Sequence, residues 1–376
     1  MMLAWFFHSL MWSYLLLYIS QRLGQPLSGV AWLMTLNAAV GMVTTFLGGA
    51  IADRFGRKGV MVFSLLFSAV GWFFFRTAGT LPVFALLMVI TGATTPLYRL
   101  AADAMIADLV PEEKRLDAYS LLRMGNNFGV ALGPALGGFL ASISYAIVFS
   151  IIGVGFAVIG LLVALLVSET RPQKKEENTL TIQSIGEYGR IFTDKVFMWV
   201  LWALTLNRIC TSILWLMLAA YTKQNFGMSE RVYGFIPTTN ALMVILFQLL
   251  ITRKVNRYRP ESAMAAGALI YAISIFSIAF GTGFWWFWLC MVVATVGEMI
   301  LVPTTTTYTS RLAPPDMRAR YMSLYTLTWG IGTGVGPLLA GFTSDLFSPQ
   351  AMWYTAGLAG FASFITFLGV IRSKKN

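Results

Sequence analysis

Apolar stretches long enough to cross a lipid bilayer, about 20 residues each, follow one another through nearly all of this chain. They lie at 3–22, 30–52, 59–77, 81–107, 117–141, 143–168, 197–221, 231–252, 261–281, 284–309, 319–343 and 347–371. A soluble domain has no use for so many. The composition agrees, since 57% of the 376 residues are apolar and only 11% are charged, far from the usual soluble balance. The expected fold class is an all-α polytopic membrane protein with twelve transmembrane helices.

The connectors orient these helices. With both termini taken as cytoplasmic, 20 of the 27 Lys and Arg residues fall in inside connectors or at the C-terminus, and four (Arg22, Arg76, Lys223, Arg231) fall outside. Arg99, Arg123 and Arg208 lie within spans. Positive residues gather on the cytoplasmic side of membrane proteins, so this bias sets the topology. It also accounts for the net charge of +11 without any nucleic-acid partner. The first span begins almost at Met1 with no basic leader or small-residue cleavage site, and reads as a retained helix. Cys210 and Cys290 both lie within spans, so neither a disulfide framework nor a cysteine metal site is expected. No metal and no cofactor is expected.

The chain repeats itself at a shift of 203 residues. Pro111, Arg115, Ser120, Leu121, Gly129, Gly133, Pro134, Gly138 and Phe139 fall on Pro314, Arg318, Ser323, Leu324, Gly332, Gly336, Pro337, Gly341 and Phe342. Ala52-Asp53-Arg54-Phe55 falls on Val255-Asn256-Arg257-Tyr258. This predicts a six-plus-six duplication, with one bundle over 1–168, a polar cytoplasmic linker over 169–196 and a second bundle over 197–376. Ile182, Ile185, Tyr188 and Phe192 recur near helical spacing inside the linker, which fits either a short interfacial helix or a flexible connection.

Two segments stand out. Gly49-Ala-Ile-Ala-Asp53-Arg54-Phe-Gly56-Arg57-Lys58 interrupts the apolar pattern between the second and third spans. Asp53 there sits at a helix C-terminus, and Arg57 and Lys58 sit at a helix N-terminus. Each faces the unfavourable end of its own dipole, so their partners are expected on other helices, as in a moving joint. In the fifth span, Gly129-x-x-x-Gly133-Pro134-x-x-Gly137-Gly138 combines small residues that admit a neighbouring backbone with a proline that bends the helix.

With these segments in view, the whole chain resembles the major facilitator superfamily. Gly49 to Lys58 is similar to that family's signature between helices two and three, and residues 129–138 are similar to a motif of its proton-coupled drug antiporters. The resemblance implies two pseudo-symmetric six-helix bundles that rock about a central cavity. It implies a latch in which Asp53 meets helix eleven near Arg318 while Arg57 pairs with Asp108. Two positions depart from the antiporter pattern: Met88 stands where an arginine is common, and Asn256 replaces the acid in the second copy.

Ionisable residues inside spans are candidates for function because their burial is costly. Glu298, in the tenth span, has no basic residue nearby in sequence and is similar in setting to antiporter protonation sites. Asp103 follows Arg99 by one helical turn, so the two can pair on one face; His8 is the only histidine. These three, Glu298, Asp103 and His8, are the expected proton-coupling residues, each with a purely structural alternative. Arg99, Arg123 and Arg208 with Asn127, Asn207, Tyr14 and Trp215 are the expected cavity wall, suited to a carboxylate, phosphate, sulfate or zwitterion. The expectation is a proton-coupled exporter of a small solute in the bacterial cytoplasmic membrane, monomeric and not an enzyme. Uptake by symport or facilitation, or flipping of a lipid or lipid-linked sugar, is the alternative.

Overall fold

The computed structural model describes residues 1–111, 114–170, 191–314 and 317–373, except for the side chains at 49, 50, 53, 115–117, 120, 123, 318, 319, 372 and 373. Most of the linker expected at 169–196 therefore lies outside the described residues.

The described elements are helical. The first expected span is two helices, α1 (Met2–Trp12) and α2 (Leu15–Leu23), bent by 41° at the break. The hydropathy pattern gave no sign of this bend. There follow α3 (Leu27–Phe55), α4 (Arg57–Phe75), α5 (Leu81–Leu109), α6 (Arg115–Ile143) and α7 (Tyr145–Leu166). Beyond the linker come α8 (Lys195–Phe226), the one-turn α9 (Glu230–Tyr233), α10 (Phe235–Val255), α11 (Pro260–Ser277), α12 (Phe284–Leu312), α13 (Arg318–Leu346) and α14 (Ala351–Ser373).

Among the described residues, nine helices are long and apolar enough to cross a membrane singly, and the α1–α2 pair makes ten. The remaining two long helices, α6 and α13, are 29 residues each, or about 43 Å at 1.5 Å per residue. Charged residues near their starts, joined in α6 by Asn126 and Asn127, dilute the apolar signal. The set is compatible with twelve spans.

The chain forms two compact units, Met1–Gln173 with Leu216–Leu242, and Lys174–Trp215 with Met243–Asn376. The exchange points fall inside α8 and α10, so residues 216–226 of α8 and 235–242 of α10, together with α9, pack with the first unit. There α1 packs on α6 and α7, α4 on α5 and α7, and α3 on α5. Trp72, Phe75, Phe84 and Phe149 are almost wholly buried in its core, with the Phe75 and Phe149 rings 5.5 Å apart. In the second unit α11 packs on α12 and α14, and α13 on α14.

The duplication extends to individual hydrogen bonds. Ser9 Oγ donates to Phe6 O (2.9 Å) and Gly129 O (3.3 Å), and Ser212 Oγ donates to Ile209 O (3.0 Å) and Gly332 O (2.7 Å). All three pairs of residues are related by the same shift of 203. A Cβ on Gly133 would run into Ser9 Oγ, and one on Gly336 into Ser212 Oγ. Gly137 and Gly138 are likewise closed in, by the backbone of Leu10 and of Glu230. The glycine-proline segments are thus places where two backbones touch through a serine, with Pro134 and Pro337 inside the helices concerned.

Candidate functional site

Three polar clusters carry the chemistry. The first is the joint between α3 and α4, a single residue long. Gly56 has φ 87° and ψ 151°, a region open essentially to glycine alone. Glu169, just beyond the end of α7, caps the next helix: its Oε1 accepts from Arg57 N at 2.8 Å and its Oε2 from Lys58 N at 3.2 Å. A carboxylate on the first amides of a helix meets both the unpaired donors and the positive dipole end. Arg57 is buried, with Nε 3.4 Å from Asp108 Oδ2, and Thr170 Oγ1 donates to the same oxygen at 3.2 Å.

The two basic residues at the unfavourable end of α4 are therefore balanced by acids from α5 and from the chain after α7. Sequence reasoning missed Glu169, although an acid directly after the sixth apolar run and on the same side as the joint was the available signal. Arg54 rests with Cζ 5.6 Å from the Phe55 ring, and Lys58 is half-buried. Gly49 lies within α3, while the latch expected of Asp53 and Arg318 concerns side chains outside the described residues. Glu169→Gln keeps the shape and loses the charge, and we expect it to cost about 1 kcal/mol, the scale of a cap or dipole contact. A lowered melting midpoint of the purified protein checks this; an unchanged midpoint refutes it.

The second cluster lies in the second unit. Gly297 on α12 and Gly267 on α11 meet face to face, each Cβ position lying about 3 Å from the other's carbonyl oxygen. This approach brings Glu298 beside Tyr271, one turn along α11, and the phenol and carboxylate are hydrogen-bonded. Arg208 on α8 lies within electrostatic reach of Tyr271. Its guanidinium stacks over the Trp329 ring, Cζ to centroid 4.6 Å. Gly332 closes on the Arg208 backbone, which fixes the root of that side chain. Arg208 Nε and Asn207 Nδ2 are buried donors with no hydrogen-bond acceptor among the described residues. An acid, a phenol and a stacked guanidinium therefore sit together, with donors to spare. Tyr271 and Trp329 were not anticipated from the sequence, because aromatic residues in apolar runs are mostly packing.

The remaining expected residues are scattered through the first unit. Asp103 and Arg99 interact electrostatically across one turn of α5, and Tyr119 donates to the Asp103 carbonyl at 3.0 Å. His8 lies among Trp5, Trp12 and Trp72, with ring centroids 6.1, 5.1 and 5.9 Å away, and its Nδ1 is buried without a partner among the described residues. Asn127 is exposed and Trp215, at the end of the α8 segment assigned to the second unit, is half-buried. The Arg123 side chain lies outside the described residues. Tyr14, expected in the cavity wall, is 0% exposed and lies at the break between α1 and α2. Its hydroxyl donates to Pro134 O (2.8 Å) and Glu230 O (3.3 Å). In this structure the phenol is committed to two carbonyls at a helix break.

Tyr14 leads to the third cluster, which the sequence did not suggest. Glu230, on α9, is 7% exposed. Its Oε1 accepts from the Tyr145 hydroxyl at 2.9 Å, and its Oε2 pairs with Lys223 Nζ at 3.1 Å.

Comparison with known proteins follows the fold. Residues 1–218 and 200–376 match the model of the Major Facilitator Superfamily. A "Na(+), Li(+), K(+)/H(+) antiporter" of Planococcus maritimus is 25% identical over 374 residues, covering 92% of this chain and 86% of that protein. The quinolone resistance protein NorA of Staphylococcus aureus is 24% identical over 344 residues, covering 90% of this chain and 86% of that protein. Among solved structures, a peptide transporter POT in complex with sulfate superposes with a TM-score of 0.79 at 17% identity, over 99% of this chain and 92% of that one. The nucleoside transporter NupG gives 0.80 at 14% identity, over 98% of each. At such identities the structural likeness concerns the fold alone.

Proposed function

This chain belongs to the Major Facilitator Superfamily, and from that premise we propose that it is a proton-coupled secondary transporter, an exporter that exchanges a small solute for protons by alternating access. It is a membrane transporter and not an enzyme. The observation that carries the coupling is the placement of Glu298 inside the membrane helices, hydrogen-bonded to Tyr271 and within the same cluster as Arg208. An acid in that position can hold a proton, and the nearby guanidinium makes its two charge states differ in their effect on solute. The joint around Gly56, Arg57 and Asp108 is the cytoplasmic hinge of this reading, completed by Asp53 and Arg318, with both termini inside. The relatives named for cation/proton antiport and for quinolone resistance support exchange and export without fixing the cargo.

A second reading, uptake of a small anionic or zwitterionic solute, is favoured by Arg208 Nε, a buried donor over an aromatic face with no acceptor among the described residues. Purified protein in proteoliposomes with an imposed pH gradient separates the two when solute and proton flux are read together. Opposed fluxes support export by exchange, and parallel fluxes support uptake. Solute movement with no proton flux for any of a panel of drugs, carboxylates and inorganic cations refutes the coupling.

A further inference from the structure

We propose that Glu230 is the clasp that holds the non-cytoplasmic ends of α8, α9 and α10 onto the first bundle, and that its release opens this end of the transporter. The inference rests on the transport reading for its purpose, but not for its geometry.

Chain order and packing disagree at this end. Residues 216–242 belong by sequence to the seventh and eighth spans, yet they fold into the unit formed by α1 to α7. A transporter whose second bundle moves as a body has to detach them. The attachment is polar at its centre and centres on one residue. The Glu230 carboxylate takes the Tyr145 hydroxyl from the start of α7 on one oxygen and the Lys223 ammonium from α8 on the other. Its backbone oxygen takes the Tyr14 hydroxyl from the break between α1 and α2. That same oxygen lies where a Cβ on Gly138 of α6 would stand, and Gly234 lets Pro134 of α6 approach from the other side.

Arg231, beside Glu230, adds a contact to α6 by stacking on Phe139, Cζ to centroid 5.3 Å. Gln224 Nε2 adds one further bond, to Ser20 Oγ of α2 at 3.4 Å. Three helices of the first half thus meet Glu230, through Tyr14, Gly138 and Tyr145.

The chain around the clasp is built to move. Gly227 has φ 64°, Ser229 Oγ accepts from Val232 N, and α9 is only four residues long before Gly234. A short helix between two glycines can turn without unravelling α8 or α10. Apolar packing of similar extent would hold as well, but it gives no single contact whose loss frees the rest. Glu230 does, since its carboxylate takes Tyr145 of α7 and its backbone oxygen takes Tyr14 at the α1–α2 break, while Lys223 holds the carboxylate in place from α8.

Hydrogen exchange on the intact protein in nanodiscs tests this, read over residues 137–146 and 218–234. Replacing a charge-assisted partner by a neutral one removes an interaction of a strength that corresponds to about tenfold in an equilibrium. We expect E230Q to raise exchange in both segments by about tenfold, with other helices unchanged, and Y145F to raise it less. The swap K223E with E230K restores only the pair between α8 and α9, so it is expected to return protection over 218–234 but not over 137–146, where residue 230 no longer accepts from Tyr145; a purely steric role for Glu230 would restore neither. Wild-type protection in E230Q overturns the clasp. So does loss of protection spread over all helices that the swap leaves uncorrected. If the wild-type protein moves no solute, the transport reading fails while the exchange result still stands or falls on its own.

Discussion

Glu298→Gln is expected to remove pH-driven solute movement while leaving the protein folded and able to bind its cargo. Glutamine has the shape of glutamate and still offers an oxygen to the Tyr271 hydroxyl, so the contact between α11 and α12 survives. What is lost is the ability to take up and release a proton. For an uncharged solute exchanged one-for-one with a proton, a 100 mV potential supplies about 2.3 kcal/mol and one pH unit about 1.4 kcal/mol. The sum, roughly 3.7 kcal/mol, sustains a gradient of about 500-fold, and the variant is expected to reach only the level of simple equilibration. Solute accumulation in inverted vesicles after an imposed pH jump measures this. Exchange of labelled for unlabelled solute without a gradient, which needs no net proton movement, is expected to persist. Accumulation at the wild-type level in the variant removes Glu298 from the coupling role.

Gly56→Ala is expected to damage the joint more than any neighbouring change. The backbone at φ 87° and ψ 151° costs a residue with a Cβ about 1–3 kcal/mol. The new methyl also collides with the Glu169 carboxylate, pushing it off the Arg57 and Lys58 amides and leaving two donors at a helix start unpaired, at about 1–3 kcal/mol more. The expected result is a much lower yield of folded protein and a melting midpoint well below that of Glu169→Gln. Adding Glu169→Ala to Gly56→Ala relieves the collision but not the backbone strain, so the double variant is expected to lose less than the two single losses added together. A Gly56→Ala protein that melts with the wild type refutes the account, and so do losses that simply add.

These expectations drew unequally on the sequence. Glu298 stood out in the sequence as an acid in a long apolar run while its partner Tyr271 did not, and the repeat stood out because one shift aligned two distant segments. The joint was half legible. Misplaced end charges at Arg57 and Lys58 announced missing partners, and Asp108 was named through the family resemblance, but Glu169 was not. Glu230 was invisible, since it sits in a connector beside Arg231, where an acid reads as solvated. Tyr14 was expected as a polar wall residue, and no sequence signal marked the helix break that turns its hydroxyl onto the carbonyls of Pro134 and Glu230.

The sequence alone determined that this chain crosses a membrane many times as helices and that its segments recur at a shift of 203 residues. Both conclusions follow from properties of the chain itself: hydrocarbon forces the backbone to satisfy its own hydrogen bonds, and a duplicated segment keeps its spacing. Only the tertiary structure decided which charges are buried and with whom. A connector acid such as Glu230 becomes buried because helices distant in sequence close over it, and Glu298 meets Tyr271 because Gly267 and Gly297 let two helices touch. Such pairings depend on where backbones cross, and that is set by the packing of the whole bundle rather than by the residues on either side.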